Sequence, residues 1–321
     1  IIPLEIDYPE VERHLHRLLQ DYSARRLAAD LAPAAKLGTE FVLKLLKKRL
    51  FSSPAAFLST LKQHRETLTR RKPKQRALPS AGVLRARIEG LAEDFADDDA
   101  FEEQELALTD TATELFAELP AEDLDLLDQM IECADQLSRR ADAKAACLID
   151  WLETHLRPAG EWNAERVILF TEYRATQVWL QTLLAAQKLT ADDRLMLLYG
   201  GMASDQRERI KAAFQASPAD SVVRILLATD AASEGVDLQN HCANLIHYEI
   251  PWNPNRLEQR NGRIDRHGQR AAQVNVYHFV GSGFSTTAGQ EAARDPGSLE
   301  ADHEFLMRAV LKVDQIREDL G

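Results

Sequence analysis

Residues 226–270 read LLATDAASEGVDLQNHCANLIHYEIPWNPNRLEQRNGRIDRHGQR. The segment opens as a buried strand, and at Thr229 and Asp230 the apolar run stops. Small and polar residues follow at once: Ser233, Glu234, Gly235 and Asp237. In open parallel sheets ligands gather at the carboxyl ends of strands, so this edge is the first place to look for a site. Gly235 permits an unusual backbone angle or a close approach. Further on, Gln259, Arg263 and Arg266 recur at intervals of four and three. On a helix that spacing puts all three on one face. Two guanidiniums beside Gly262 suit a multiply charged phosphate better than a single carboxylate. Taken singly, the same residues also fit plainer roles: turn glycines, and arginines bridged to Glu258 or Asp265 on a solvated face.

Working outward, four more runs have the length and apolar content of buried strands: Arg166–Thr171, Leu195–Tyr199, Leu245–Ile250 and Val274–Val280. The run that leads into the quoted segment spans Val222–Ala228. Helical stretches at about 174–187 and 205–216 separate the first three strands. Strands apolar on both faces, alternating with helices, predict a parallel sheet covered by helices, an α/β fold. Ahead of this part the pattern is helical. Val11, Leu15, Leu18 and Leu19 predict a helix over 8–27; Phe41, Val42, Leu45, Leu46 and Leu50 predict another over 39–50. Ser53-Pro54 marks a stop and a capped restart, with a helix running to about Thr69. A further helix is predicted over 138–156, and a last one over 299–320. Asp97-Asp98-Asp99 is expected to be disordered. The expected organisation is a helical region over 1–136, an α/β domain over 137–284, and a loop and helix over 285–321.

The 321 residues contain 45% hydrophobic and 28% charged residues, which excludes collagen-like and wholly disordered chains. No apolar run approaches the ~18 residues of a membrane span, and no basic-then-apolar leader is visible. The three cysteines match no zinc or disulfide spacing, so a reducing cytoplasm and no metal site are expected. The chain opens Ile1-Ile2-Pro3 without methionine, which suggests a piece of something longer. The net charge of −12 argues against a nucleic-acid partner until its distribution is read. Residues 89–135 hold 18 acids and no Lys or Arg; −12 without those 18 becomes +6. Residues 36–87 hold 14 Lys and Arg against Glu40 and Glu66. The basic block fits either a nucleic-acid surface or a solvated helical face. The acidic block fits a solvated insertion, or a mimic of DNA charge that shields the basic surface.

The joint pattern resembles motifs V and VI of superfamily-2 helicases and translocases. ATDAASEGVDLQ is similar to motif V, and QRNGRIDRHGQ to motif VI with its Q-x-x-G-R-x-x-R core. The ending R-x-G-Q, with PWNP upstream, resembles the Swi/Snf-type branch, closest in flavour to bacterial RapA-like proteins. VILFTEY resembles motif IV; Gly200, Arg207 and Phe214 match that branch between motifs IV and V. Asp142-x-Lys144 resembles the lead-in to the second lobe, and LKKRLFSSPAAFLSTL the helical segment linking two lobes.

The resemblance implies a RecA-like second helicase lobe acting with ATP and magnesium on nucleic acid, double-stranded DNA by preference. It implies Arg266 as the arginine finger and Arg263 as a second phosphate contact. Gln259, Gly262, Gly235 and Asp237 would bind the nucleotide. Thr229, Thr171, Tyr173, Gly200 and Gly201 would lie along the nucleic-acid backbone. The chain has no G-x-x-x-x-G-K-[ST] loop and no D-E-x-H after a strand, so a first lobe in cis is expected to supply the magnesium ligands. The chain alone is then expected not to hydrolyse ATP. The alternatives are an RNA helicase lobe and a non-catalytic adaptor.

Overall fold

The computed structural model describes residues 1–70, 79–91, 97–116, 119–230, 238–285 and 294–320. The chain divides into two compact units. One comprises Glu10–Arg140; the other comprises Ile1–Pro9 with Ala141–Gly321. The helical unit is thus inserted between the first nine residues and the remainder of the α/β unit. The sequence reading placed those nine residues with the helices and set the boundary at 136/137.

The helical unit holds six helices among the described residues: α1 (Glu10–Ala28), α2 (Pro33–Ser52), α3 (Pro54–Thr69), α4 (Ala81–Gly90), α5 (Asp98–Thr113) and α6 (Ala121–Ser138). The Ser53 hydroxyl accepts from the Ala56 amide at 3.1 Å, so the predicted stop and restart sits where Ser-Pro places it. The core is made by Leu15, Leu19, Tyr22, Val42, Leu46, Phe57, Leu61, Leu127, Met130 and Ala134. The expected disorder at Asp97–Asp99 is corrected. Asp97 accepts from the amides of Asp99 and Ala100 at 2.9 and 3.1 Å and caps α5, while Asp98 and Asp99 form its first turn. Carboxylates are favoured there by the unpaired amides and the helix dipole.

The acidic block packs on the basic one within this unit. Arg49 pairs with Glu102 at 3.2 Å and Glu105 at 2.6 Å, and Arg65 grips Asp128 through Nε and Nη2 at 2.8 and 3.1 Å. Arg26 meets Asp123 at 3.1 Å, both buried. His64 sits fully buried between the Tyr22 hydroxyl and the Thr113 hydroxyl, each 2.8 Å away. Burial, and then Arg26, press its pKa down to about 3, so the imidazole is neutral.

The α/β unit has a six-stranded, all-parallel sheet: β1 (Ile2–Ile6), β2 (Val167–Thr171), β3 (Leu195–Leu198), β4 (Ile225–Thr229), β5 (Asn244–His247) and β6 (Asn275–Gly281), in the order β1-β6-β5-β2-β4-β3. Helices α7 (Ala143–Leu156), α8 (Arg174–Ala186), α9 (Ser204–Gln215), α10 (Pro254–Asn261) and α11 (Leu299–Leu320) cover it. Every residue of β2, β4 and β5 is buried, which requires cover on both faces and accounts for the continuous apolar runs. This is the expected α/β, RecA-like arrangement. β1 was not predicted: IPLEI is short and carries Pro3 and Glu5. Proline lacks an amide hydrogen and is tolerated at a sheet edge, and β1 is an edge strand paired with β6 alone. The helix predicted over 138–156 starts later, at Ala143, and ends at Leu156 as expected. α6 ends at Ser138, and Asp142 starts α7 by accepting from the Ala145 amide at 2.7 Å.

Candidate functional site

The strand order reverses around β2. The chain steps from β2 out to β3, returns to β4, and crosses to β5 on the other side of β2. The carboxyl ends of β2, β4 and β5 therefore lie side by side, with Thr171 level with Thr229 and Phe170 level with His247. That is where an open parallel sheet leaves a crevice. Each of these strands is followed closely by an acid: Glu172 directly after β2, Asp230 directly after β4, and Glu249 two residues after β5. Buried carboxylates need partners, and α10 supplies them.

α10 begins with Asn253, whose side chain accepts from the Asn255 amide at 3.0 Å, and with Pro254 in the first turn. Arg256 and Arg260, one turn apart, face the acids. Arg260 is 1% exposed and grips Asp230 with both edges of its fork, Nε to Oδ1 at 2.5 Å and Nη2 to Oδ2 at 2.9 Å. Its Nη1 donates to the Glu249 carbonyl at 3.2 Å and to His247 Nδ1 at 3.3 Å. Arg256 reaches Glu172 at 3.4 Å and Asp230 at 3.7 Å. The Glu249 carboxylate accepts from the Glu172 amide and from the Thr171 hydroxyl at 3.2 Å. Lys144 of α7, itself buried, stands 4.1 Å above the ring of Tyr248.

The protonation states follow from burial and from these partners. Burial pushes the Glu249 carboxyl up, and Arg260 and Lys144 pull it part of the way back. Burial pushes the Arg260 guanidinium down, but Asp230 and then Glu249 outweigh it, and the net direction is up. Burial raises Asp142 against the pull of Lys144. His247 lies well below the usual histidine range because it is buried, with His278 and Arg260 adding to the effect. It is therefore neutral. Nδ1 receives the Arg260 donor, so Nε2 carries the proton and donates to Asn261 Oδ1 at 2.9 Å. His247 also stacks on His278, with ring centroids 4.6 Å apart.

α10 stops at Asn261, with Gly262 as its cap at φ −62°. Arg263 and Arg266 lie beyond it in successive turns, so they do not continue a helix face with Gln259. The Arg263 amide donates to the Arg260 carbonyl at 3.1 Å, and the Asp265 amide to the Asn261 carbonyl at 2.9 Å. Ile264, fully buried, pegs the turn into the sheet's core. Gln269 closes it by donating to the carbonyls of Cys242 and Ile264, both at 3.0 Å. Gly268 holds φ +95°, a conformation that disfavours any side chain, which accounts for glycine in the R-x-G-Q ending. Arg266 is exposed, Arg263 half-buried, Gln259 exposed and Gly262 half-buried.

Among the expected nucleic-acid contacts, the side chains of Thr171, Thr229 and Tyr173 are buried, and the Thr171 hydroxyl is engaged with Glu249. In this arrangement those side chains are not presented to a strand. Gly200 is buried; Gly201 is exposed at φ +82°. Gly235 and Asp237 lie outside the described residues. Among the described residues no three His, Cys, Asp or Glu side chains converge as a metal-ligand set, and no helix is long and apolar enough to cross a membrane.

Sequence reasoning passed over Arg256, Arg260, Asp230, Glu249, Glu172 and the role of Lys144. A usable signal existed. Three acids follow buried strands within two residues, and Arg256 and Arg260 repeat at helical spacing just downstream.

Residues 144–268 match the family described as helicase conserved C-terminal domain. Over those residues the chain is similar to helicase C-terminal domains. The segments resembling motif IV (167–173) and motif V (228–239) fall inside the matched span, and the one resembling motif VI does so up to Gly268. The chain is 34% identical over 161 residues to the uncharacterized ATP-dependent helicase YqhH of Bacillus subtilis, covering 50% of this chain and 25% of that one. It is 31% identical over 121 residues to the RNA polymerase-associated protein RapA of Klebsiella pneumoniae, covering 38% of this chain and 12% of that one. The aligned part thus spans a quarter or less of these relatives. Among solved structures, the C-terminal part of the Fun30 ATPase domain aligns over 96% of either chain at 14% identity, with a TM-score of 0.46. In the α/β unit, the Arg260–Asp230 clamp joins the segment resembling motif VI to the first residues of the one resembling motif V.

Proposed function

We propose that this chain is the second lobe of an ATP-dependent, double-stranded-DNA translocase of Swi/Snf type. The observation that carries the reading is the exposed Arg266, held on a turn pinned by Ile264 and Gln269 at the end of a helix clamped by Arg260. A guanidinium fixed in position but facing out is what a γ-phosphate approached by a second lobe requires. In this reading Arg266 is the arginine finger, and Arg263 a second phosphate contact. Gln259 and Gly262, with Gly235 and Asp237, border the nucleotide. Thr171, Tyr173, Thr229, Gly200 and Gly201 line the path of the nucleic acid; the first three contribute main-chain groups, since their side chains are buried. The names of the relatives, an ATP-dependent helicase and an RNA polymerase-associated protein, support ATP use and a nucleic-acid substrate.

Bound ATP would supply the phosphoryl group, and magnesium, which carboxylates of a first lobe would hold, would screen its charge. This chain's own residues orient and neutralise. Arg266 and Arg263 meet the phosphates when the lobes close, and the Arg260 clamp keeps their turn in place. Closure and opening shift the grip on one DNA strand and move the motor along the duplex.

The 321-residue chain alone is expected to show no ATP turnover with duplex DNA or RNA. In the longer protein, with a phosphate-loop lobe in cis, Arg266→Ala is expected to lower DNA-stimulated turnover by about 10³-fold or more while DNA binding persists. Turnover near wild type in that variant overturns the finger assignment. Stimulation by RNA and not by duplex DNA overturns the choice of substrate.

A further inference from the structure

We propose that Arg174, laid on the ring of Tyr199, is a contact for the phosphodiester backbone of a nucleic-acid strand; this deepens the reading above and rests on it. Arg174 opens α8 just after β2, and Tyr199 directly follows β3. β4 lies between those two strands, so the side chain reaches across the carboxyl edge of the sheet. Its guanidinium carbon is 3.6 Å from the centre of the Tyr199 ring, and both residues are half-buried.

The support beneath it is rigid. Arg174 Nη1 donates to Gln177 Oε1. Gln177 is fully buried, and its Nε2 donates to the Leu198 carbonyl at 3.1 Å and the Leu227 carbonyl at 2.7 Å. Those two carbonyls fix which end of the amide is nitrogen, so its oxygen must face the arginine. One donor of the guanidinium is thereby taken, out of five.

What Arg174 lacks is a counter-charge. Arg157, Arg209, Arg256, Arg260, Arg294 and Arg308 of the same unit each have a carboxylate within 4.0 Å. Arg174 has none among the described residues; Arg166 and Arg224 also have none but spend their donors on backbone carbonyls, whereas the partners of Arg174 are one neutral amide and an aromatic face. A stacked, partly desolvated guanidinium with unspent donors is suited to a phosphate oxygen. Beside Tyr199, Gly201 is exposed at φ +82° with no side chain to obstruct an approaching backbone. Because α8 and the 199–201 turn present the charge along the sheet edge, a polymer that runs along that edge is the fitting source of the phosphate.

The test titrates the 321-residue chain with a labelled duplex by fluorescence anisotropy between about 50 and 200 mM salt. Arg174→Ala is expected to weaken binding severalfold and to flatten the slope of log K against log salt by about 0.9, the loss of one phosphate contact. Arg174→Lys, which keeps the charge but not the planar stack, is expected to retain the slope with lower affinity. Tyr199→Ala is expected to weaken binding less than Arg174→Ala does. Wild-type affinity and slope in both Arg174 variants overturn the proposal while leaving a nucleic-acid-binding lobe intact. If the wild-type chain itself shows no salt-dependent binding, the functional reading falls and takes this contact with it. In a parallel arm with inorganic phosphate, saturable binding that Arg174→Ala abolishes, together with an unchanged DNA slope, assigns the arginine to free phosphate and overturns the strand contact.

Discussion

Arginines guard both ends of the α/β unit's sheet, and they are held in opposite ways. At the amino-terminal end, Arg166 and Arg224 precede β2 and β4. Arg166 donates to the backbone carbonyls of Val223 at 3.1 Å and Ala216 at 2.6 Å, and also to that of Phe214. Arg224 donates to those of Asn163, Ser221, Val223 and Pro218 at 2.6–3.1 Å. Neither has a carboxylate within 4.0 Å among the described residues. Burial, and then like charge nearby, push both guanidiniums down: Arg224 acts on Arg166, and Arg194 on Arg224. At the carboxyl end, Arg260 is tied to Asp230, and Arg256 to Glu172 and Asp230. The carbonyl-fed arginines staple the loop at 214–224 to the bottom of the sheet, and their work ends there. The acid-fed ones fix a helix whose continuation carries Arg263 and Arg266, at the edge where ligands bind.

The largest expected effect breaks the clamp. Arg260→Met keeps the length of the side chain but leaves Asp230 only the more distant Arg256, and Glu249 only Lys144. Breaking a buried pair from one side costs about 3–5 kcal/mol, which urea unfolding of the chain should register. Adding Asp230→Asn should return about 1–3 kcal/mol of that loss, because the orphaned charge has gone. Strict additivity of the two substitutions would show that the pair is not coupled. At the other end Arg166→Met should cost less, about 1–3 kcal/mol for carbonyls left without a donor. No single carboxylate exchange can recover it, since no carboxylate is involved. Equal behaviour of the two arginines in this scheme would erase the distinction drawn between the two edges.

How far these roles could be read from sequence depends on what fixed them. Apolar runs such as Val167–Thr171 declare central strands because both faces must be covered. β1 stayed hidden because an edge strand tolerates Pro3 and Glu5. Asp97–Asp99 look like a solvated acidic run until the amides of Asp99 and Ala100 are seen to need them. At the site, the arginines of the 259–266 segment stand out by spacing. The burial of Thr171 and Thr229 does not, since it follows from β2 lying between β4 and β5, an order no local pattern encodes. The same holds in the helical unit. The basic and acidic blocks are plain in the composition, but Arg49 meeting Glu105, and Arg65 meeting Asp128, join residues far apart in the chain. Those contacts occupy part of the basic surface that the sequence left open to nucleic acid.

Histidine extends the comparison from the sheet to the helical unit. His64 titrates at about 3 when folded and near its ordinary 6.5 when unfolded. Between those values the unfolded chain binds the proton and the folded chain does not, so stability is full above about 6.5 and falls as the pH drops. At pH 5 the loss is about 2 kcal/mol relative to neutral pH. His64→Gln removes this contribution, so the stability gap between wild type and variant should narrow by about that amount from pH 7 to pH 5. A gap independent of pH would mean that His64 takes up its proton as readily in the fold as in the unfolded chain, and the Tyr22–His64–Thr113 arrangement would need redrawing. His278, stacked on His247 beneath the clamp, is held at about 3 by burial and should act in the same sense in the α/β unit.

The smallest expected effect separates support from function. Arg266 is exposed, and its turn is pinned by Ile264, Gln269 and Gly268. Exposed substitutions away from caps and buried pairs stay within about 0.5 kcal/mol. Arg266→Ala should therefore leave the unfolding midpoint of the chain almost unmoved, in contrast to Arg260→Met six residues earlier. A fold that barely registers an arginine, on a turn it takes such care to hold, is the signature expected of a group kept for another molecule. If Arg266→Ala instead destabilises by as much as Arg166→Met does, its guanidinium is bound into the domain's own structure. It would then be unavailable to a phosphate, whatever its position in the motif.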